Sequence, residues 1–204
     1  MLFRSDALPW RPVPAIGFIG HVAGGWRSLG YLKRGWQNYH GFTLRERVLR
    51  AFEGSALVQP QFVRRSANLG PPMAGVDGDE DRRRKRAEYV DSVFGCEYAL
   101  CVRGAGNWSF RFFEALSAGR VPVVIDTDSV LPLEGEVDWS RHLCRIPVRM
   151  LADAPRIVAE FHARLGHEGF ARMQAGNRRL WEERLEPGVF LARALRGLAD
   201  APRG

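Results

Sequence analysis

The sequence predicts an α/β domain built on a Rossmann-like parallel sheet with flanking helices. Short apolar segments alternate along the chain with longer segments whose apolar residues recur at helical spacing. Glycine-rich turns connect several of these segments, as expected where a buried strand leads into a helix. The first of the short apolar segments, residues 15–22, is an almost continuous apolar run, which is typical of a strand that is covered on both faces.

Five strands are predicted from apolar runs that end at turn residues. In chain order they are residues 15–22, 56–63, 97–102, 121–125 and 143–147. Pro122 is acceptable near the beginning of its strand, where a missing amide costs least.

The helices are predicted from apolar stripes and from their end signals. Thr43 and Glu46 have the spacing of a capping box, so we expect the first helix to begin at Thr43. Gly95 and Gly119 follow the next two helices as stop signals. The predicted helices are residues 43–53, 79–94, 109–118 and a long helical region, 150–199, broken at 166–169 and at 187–188.

The chain divides into a proline-rich lead, residues 1–14, one domain, residues 15–199, and a short tail, residues 200–204. The carboxyl-terminal helices, residues 150–199, are counted as part of the domain. A Gly- and Pro-rich loop before residue 79 is expected to be mobile.

Net charge is +7, from 30 basic and 23 acidic residues, and the basic excess lies early in the chain. Much of it is one run, residues 82–86, which would suit phosphates, nucleic acid or an anionic surface. Acidic residues precede this run directly, so a solvated helix start is the favoured interpretation. A basic α/β module for nucleic acid or another polyanion stays open as an alternative, without aromatic residues or a nucleic-acid motif to support it.

The three cysteines, Cys96, Cys101 and Cys144, have the spacing of neither a disulfide framework nor a zinc site. The longest apolar stretch, residues 13–26, is shorter than a membrane-spanning helix and is interrupted by His21. We therefore expect no membrane span in this chain and a cytoplasmic location, or membrane association through parts outside it.

The turn after the third strand, residues 103–109, has the form of a diphosphate cradle. Gly104 and Gly106 would let the backbone approach a ligand, and Ser109 can cap the following helix or bond an anion. Arg103 and Arg111 flank the turn with guanidinium groups that suit phosphate oxygens.

Glu114 follows Arg111 by three residues on the same helical face, where a carboxylate could accept bonds from ribose hydroxyls. A surface ion pair between these two residues explains the spacing equally well, so both interpretations stay open at this point.

A longer motif carries a family resemblance. Residues 98–139 contain R-G-x-G-x-x-S-x-R-F-x-E-x-L, then A-G-x-x-P-V, then D-T-D-S-V-L-P with a tryptophan shortly after. This order and spacing resemble the signature region of the exostosin-like glycosyltransferases. The strand I-G-F-I-G at 16–20 and W-E-E-R-L-x-P at 181–187 are similar to that family too.

The resemblance implies the donor-binding second half of a GT-B glycosyltransferase, in which two Rossmann-like domains face each other across a cleft. By motif position it implies a nucleotide-sugar donor without a metal or other cofactor, and a glycan acceptor. The amino-terminal acceptor domain of such enzymes has no counterpart in these 204 residues. The implied diphosphate ligands are Arg103, Gly104, Gly106, Ser109 and Arg111, the implied ribose ligand is Glu114, and further donor-site candidates are Gly20, His21, Gly24, Asn107 and Asp126.

Asp126 and Asp128 allow a different enzyme class. Apolar residues followed by D-x-D also open the site of haloacid-dehalogenase-type phosphatases, in which the first carboxylate is the nucleophile. That chemistry needs a downstream lysine or equivalent cation, and the last lysine of this chain is Lys85. The favoured interpretation is that the two aspartates end a strand and cap the next turn. His40, His162 and His167 show no useful spacing and are expected at the surface, and His142, just ahead of the fifth predicted strand, is expected to be exposed as well.

Overall fold

The computed structural model describes residues 7–22, 41–65, 79–104 and 106–199 and confirms the predicted fold class. Five parallel strands form one sheet in the order β2-β1-β3-β4-β5. Their bounds are β1 Ala15–His21, β2 Gln59–Arg65, β3 Tyr98–Cys101, β4 Val121–Asp126 and β5 Cys144–Pro147. An α-helix lies in each of the first three connections, as expected for a Rossmann-like sheet, whereas the β4–β5 connection contains a short 3₁₀ segment.

Five α-helices are present in the described residues. They are α1 Gly41–Glu53, α2 Asp79–Phe94, α3 Phe110–Ser117, α4 Ala154–Leu180 and α5 Pro187–Ala199. Two 3₁₀ segments, Trp139–Arg141 and Val148–Asp153, flank β5, and a wide π turn, Trp181–Leu185, joins α4 to α5. No helix of these described residues is both long and apolar enough to cross a bilayer.

The core is split between the two faces of the sheet because alternate residues of each strand point to opposite faces. Leu100 and Val123 belong to one apolar cluster, with the apolar stripe of α1 and the inner face of α4. Cys101 and Val124 belong to a second cluster, with Phe112 and Leu116 of α3. Helix α2 packs directly on β1, since a Cβ at Gly17 would lie 2.9 Å from Ser92 O of α2.

Strand β1 pairs with β2 over its whole length but with β3 at only two positions, Ile16 with Tyr98 and Gly17 with Ala99. Beyond Gly17 the two strands have no paired residues. The strand order also reverses here, because β1 is followed along the chain by β2 on one side and later by β3 on the other. Open parallel sheets bind ligands at such a reversal, outside the carboxyl ends of the strands.

The predicted element boundaries are close to the observed ones, with two corrections near the start. Helix α1 already includes Gly41 and Phe42, so Thr43 lies in its first turn and is not the N-cap. Strand β2 starts at Gln59 and not at residue 56, because its pairing with β1 starts where Gln59 N donates to Pro14 O. The expected break at residues 166–169 is a kink at Gly166, whose φ of 58° is in the left-handed region.

The lead segment is held against the amino-terminal edge of the sheet. Gln174 of α4 bonds both the N–H and the C=O of Leu8, and Arg11 Nε lies 2.7 Å from Oε1 of the buried Glu97. Glu97 Oε2 accepts a bond from Ala15 N, so this carboxylate joins the lead to the first residues of β1 and β3. Residues 200–204, and the loop expected to be mobile, lie outside the described residues.

The surface location expected for His162 is wrong. Its side chain is buried between the lead and the sheet, where Nδ1 lies 2.8 Å from Tyr98 Oη and Nε2 lies 2.6 Å from Arg11 O. Its ring also stacks on Trp10. Partners on both ring nitrogens explain why an imidazole is tolerated there. His142 is half-buried against Asn177, His167 is exposed as expected, and His40 lies outside the described residues.

Candidate functional site

The turn between β3 and α3 lies at the carboxyl-terminal edge of the sheet. A bond from Gly104 N to Trp108 O closes it, and Ser109 ends it as the N-cap residue of α3 with extended backbone. The Ser109 hydroxyl makes no capping bond. The first turn of α3 therefore presents its backbone N–H groups and positive dipole end at this edge, without the side-chain acceptor that a helix start usually has.

Arg111, in the first turn of α3, is buried beneath the end of β1. Its Nη2 donates to Ile19 O at 2.9 Å, and its guanidinium lies over the Tyr89 ring, 5.1 Å from the ring centre. Nη1 is also buried and has no hydrogen-bond partner among the described residues. Burying a guanidinium with an unsatisfied N–H is costly, so this group is suited to receive an acceptor from outside the chain.

Glu114 contacts Tyr89 as well. The Tyr89 hydroxyl donates to Glu114 Oε2, and burial is the main reason that the pKa of Tyr89 is raised, which keeps this hydroxyl protonated as a donor. Arg111 and Glu114 thus lie on one helical face, as their spacing suggests, but no ion pair joins them among the described contacts. Tyr89 of α2 lies between them.

Arg45 of α1 is a second guanidinium at the same end of β1. Its Nη1 donates to His21 O at 3.0 Å and its Nη2 to Val102 O at 3.3 Å, so it bridges the ends of β1 and β3. Burial, and then the charge of Arg111, hold the pKa of Arg45 below its ordinary value. The site therefore contains two neighbouring cations.

A cavity of about 460 Å³ opens on the other side of the β3–α3 turn, toward β4. Aromatic and aliphatic side chains form most of its wall, among them Trp108, Phe112 and Leu131. Of the predicted site residues, those lining the cavity are Arg103, Asn107 and Ser109. Arg103 Nε is buried and has no partner in the described part of the chain. Arg111 and Glu114 do not line this cavity, so the turn separates two groups of predicted ligands.

Asn107 joins the two loops that border the cavity. Its amide nitrogen donates to Thr127 O at 3.0 Å and to Asp128 O at 3.3 Å, and its oxygen accepts from Thr127 Oγ1 at 2.5 Å. Both ends of the amide are therefore used by the protein itself. The contacts support a structural role for Asn107 at the rim of the site.

Asp126 is held as the favoured interpretation predicts, at the end of a strand. One carboxylate oxygen accepts from Ser129 N at 3.3 Å, and the other lies 3.0 Å from Arg145 Nε. A carboxylate engaged on both oxygens is poorly placed as a nucleophile, so the geometry does not favour phosphatase chemistry.

The remaining predicted residues lie near the end of β1 and in the turn. Gly20 is at the end of β1, and His21 Nδ1 lies 3.2 Å from Arg65 O of β2, within the sheet edge. Gly106 lies in the turn beside Trp108. Gly24, and the rest of the turn beyond residue 22, lie outside the described residues.

The basic run lies on α2 and is partly neutralised there. Asp81 forms ion pairs with Arg84 and Lys85 one turn away, and Arg65 pairs with Glu88. This is the solvated helix start favoured above, in which opposite charges are neighbours. The three cysteines are free, buried thiols, and burial raises the pKa of Cys101, in the cavity wall, to about 12.

Sequence interpretation missed Arg45 and Tyr89. A readable signal existed for Arg45, because it falls within the apolar stripe formed by Leu44, Val48 and Leu49 of α1, whereas Arg47 falls on the exposed side. A charged residue on a buried helical face is expected to have a hydrogen-bonding partner or to belong to a binding site. No comparable signal distinguishes Tyr89 from an ordinary core aromatic residue.

Comparison with known proteins assigns the family. The Exostosin GT47 domain matches residues 45–161, more than half of the chain. Exostosin-1 of Drosophila melanogaster is 34% identical over 105 residues, which are 51% of this chain and 13% of that protein. The Exostosin-1 homolog of Caenorhabditis elegans is 34% identical over 83 residues, 37% of this chain and 22% of that protein. Exostosin-1a of Danio rerio is 32% identical over 77 residues, 38% of this chain and 10% of that protein.

The chain thus corresponds to only a small part of the length of these relatives. The family match includes Arg45, both sides of the β3–α3 turn and the whole of β4. With its five-stranded parallel sheet, the chain belongs to the exostosin GT47 family of glycosyltransferase domains.

Proposed function

We propose that this chain binds the nucleotide-sugar donor for sugar transfer to a glycan acceptor, at the carboxyl-terminal edge of its sheet. The observation that carries the proposal is the buried Arg111, whose Nη1 lacks a partner among the described residues at the place where β1 and β3 separate. A diphosphate supplies the acceptor oxygens and the negative charge that such a group requires.

The diphosphate would lie over the first turn of α3. Arg111 would contact it from the side of β1, and Arg103 and Ser109 from the side of the cavity. Gly104 and Gly106 would let it approach the backbone of the turn. Backbone N–H groups of the helix start add donors between these side chains. In this family such contacts would hold the charge that develops on the leaving nucleoside diphosphate during transfer.

The two ends of the donor would lie on opposite sides of the turn. Glu114, with one oxygen bonded to Tyr89, would accept from the ribose hydroxyls on the side of α2. The sugar would extend toward the cavity, where Trp108 offers an aromatic face for stacking and Asp126 lies at the end of β4. Transfer also requires an acceptor hydroxyl placed in line and a base for its proton, which we assign to an acceptor-binding domain acting together with this one.

The test is calorimetric titration of the purified chain with UDP and GDP. Arg111→Ala should weaken binding of the nucleotide that the wild type prefers by about 1.5 to 3 kcal/mol, the range for a hydrogen bond to a charged group. Arg172→Ala is the matched control, because Arg172 is an exposed arginine of α4 paired only with Glu168 in the described contacts. A wild-type chain that binds neither nucleotide would contradict the proposal, and unchanged affinity in folded Arg111→Ala would remove Arg111 from the site.

A further inference from the structure

The end of β1 is held by two arginines from different helices. Ile19 O accepts from Arg111 of α3, and His21 O, two residues further, accepts from Arg45 of α1. Carbonyls two residues apart in a strand point the same way, so both guanidinium groups lie along one side of β1. Arg45 also bonds Val102 O, which follows β3, so this is the side that faces the separated strand.

Both arginines are fixed before any ligand arrives. Arg45 is bonded at two nitrogens to the ends of two strands, and its guanidinium lies near the Phe18 ring, 5.8 Å from the ring centre. The β3–α3 turn lies against it as well, since a Cβ at Gly104 would be 3.4 Å from Arg45 Nη2. A cation held this firmly loses little side-chain entropy when it binds an anion.

Two neighbouring cations in a half-buried place repel each other. Both guanidinium groups bond carbonyls on one side of β1, and the pKa of Arg45 is lowered by burial and then by the charge of Arg111. An anion bound beside both would relieve this repulsion, and it would do so in proportion to its charge. A nucleoside diphosphate carries one phosphate more than a monophosphate, and hence more charge and more acceptor oxygens.

We propose that Arg45 is a second phosphate-binding cation of this site and that, together with Arg111, it sets the preference for a nucleoside diphosphate over the monophosphate. The inference rests on the proposed donor site and adds a residue outside the signature motif, on a different helix. After transfer, the same pair would hold the released nucleoside diphosphate more firmly than its monophosphate, so Arg45 would also affect product release.

The experiment compares the affinities of UDP, UMP and uridine for wild type, Arg45→Gln and Arg47→Gln, with GDP and GMP used instead if the chain prefers guanine. Arg47 is the matched control, because it is an exposed arginine on the same helix. For Arg45→Gln we expect the UDP affinity to fall about 10- to 100-fold and the UMP affinity to fall by less, so that the UDP-to-UMP ratio drops at least about fivefold. Arg47→Gln should change each affinity less than twofold.

Equal losses of UDP, UMP and uridine affinity in Arg45→Gln would mean that Arg45 only holds the strand ends, and this would overturn the inference. An unchanged UDP affinity would overturn it too. If Arg45→Gln does not fold, Arg45→Met allows the same affinity ratio to be measured, because methionine fills much of the same space and removes the charge. A lower UDP-to-UMP ratio supports the inference and an unchanged ratio contradicts it. A wild-type chain that binds no nucleotide is a different result, since it contradicts the proposed function itself.

Discussion

The two edges of this sheet treat a buried charged side chain in opposite ways. At the amino-terminal edge, Glu97 and His162 are almost fully buried, and both find partners in the lead segment and the sheet. At the carboxyl-terminal edge, Arg111 is 5% exposed and one of its nitrogens has no partner among the described residues. The first edge uses buried polarity to hold the chain together. The second leaves bonding capacity unused, and this is what a binding site requires.

The contrast concerns charge as well. Glu97 has a cation of the lead segment, Arg11, beside it, and it accepts a hydrogen bond from Ala15 N–H. Arg111 has an aromatic ring and a carbonyl beside it and no ion pair among the described contacts, and its charge contributes to lowering the pKa of another arginine, Arg45. Changes at the first edge should therefore alter stability without altering nucleotide affinity. Changes at the second should do the reverse.

The largest expected effect on stability is that of Glu97→Ala. This change removes the acceptor of a buried N–H and the partner of Arg11, and losses of this kind cost about 3 to 5 kcal/mol. Because the Arg11 side chain is 42% exposed and can be rehydrated, we expect about 3 kcal/mol, measured by urea unfolding. Glu168→Ala, at an exposed pair on α4, is the control and should cost under about 1 kcal/mol.

Arg111→Met should do the opposite of Glu97→Ala: it should weaken nucleotide binding and leave stability nearly unchanged. Methionine fills much of the same space and carries no charge. In the free energy of unfolding, the loss of the bond to Ile19 O is therefore nearly offset by removing the cost of burying a guanidinium. We expect the free energy of unfolding to change by less than about 1 kcal/mol, while UDP affinity falls at least about tenfold. A loss of several kcal/mol with unchanged affinity would make Arg111 a structural residue like Glu97.

The smallest effect is expected at Glu53, on the surface between α1 and β2. The pKa of this carboxyl is lowered, mainly because Arg64 donates hydrogen bonds to it. A lowered folded pKa means that the stabilisation is present above the ordinary glutamate pKa of about 4.3 and is lost as pH falls through the folded value. Because the Glu53 side chain is 39% exposed, Glu53→Gln should cost at most about 0.5 kcal/mol at pH 7, and the difference should disappear in chemical unfolding once the pH is below the folded pKa of Glu53.

A larger difference that persists at low pH would show that Glu53 contributes by packing and not by charge. It would also mean that an exposed polar group of this chain can stabilise the fold as a buried one does.

The sequence was sufficient to predict the sheet and the turn to which the proposed donor site is assigned. Continuous apolar runs in β1 and β4 indicate strands buried on both faces, and Gly95 and Gly119 end α2 and α3 where expected. The sequence could not predict on which side of the β3–α3 turn each candidate ligand residue lies. Arg111 and Ser109 are two residues apart, yet one is buried against β1 and the other lines the cavity.

The features that the sequence did not predict depend on contacts between residues that are far apart in the chain. The burial of His162 depends on Tyr98 and Arg11, which are 64 and 151 residues away in sequence. The bonds of Arg45 likewise reach the ends of two strands, and pattern analysis cannot tell which strands will be neighbours until the sheet order is known.

Hydrogen–deuterium exchange of the wild-type chain, with and without a saturating concentration of UDP or GDP, tests the location of the donor site directly. We predict slower exchange at residues 17–22 and 102–115, where β1 ends and α3 begins, and no change at residues 7–14 or in α4. Protection centred on the lead segment or on α4, with none at the end of β1 or the start of α3, would contradict the assignment of the donor site to the carboxyl-terminal edge of the sheet.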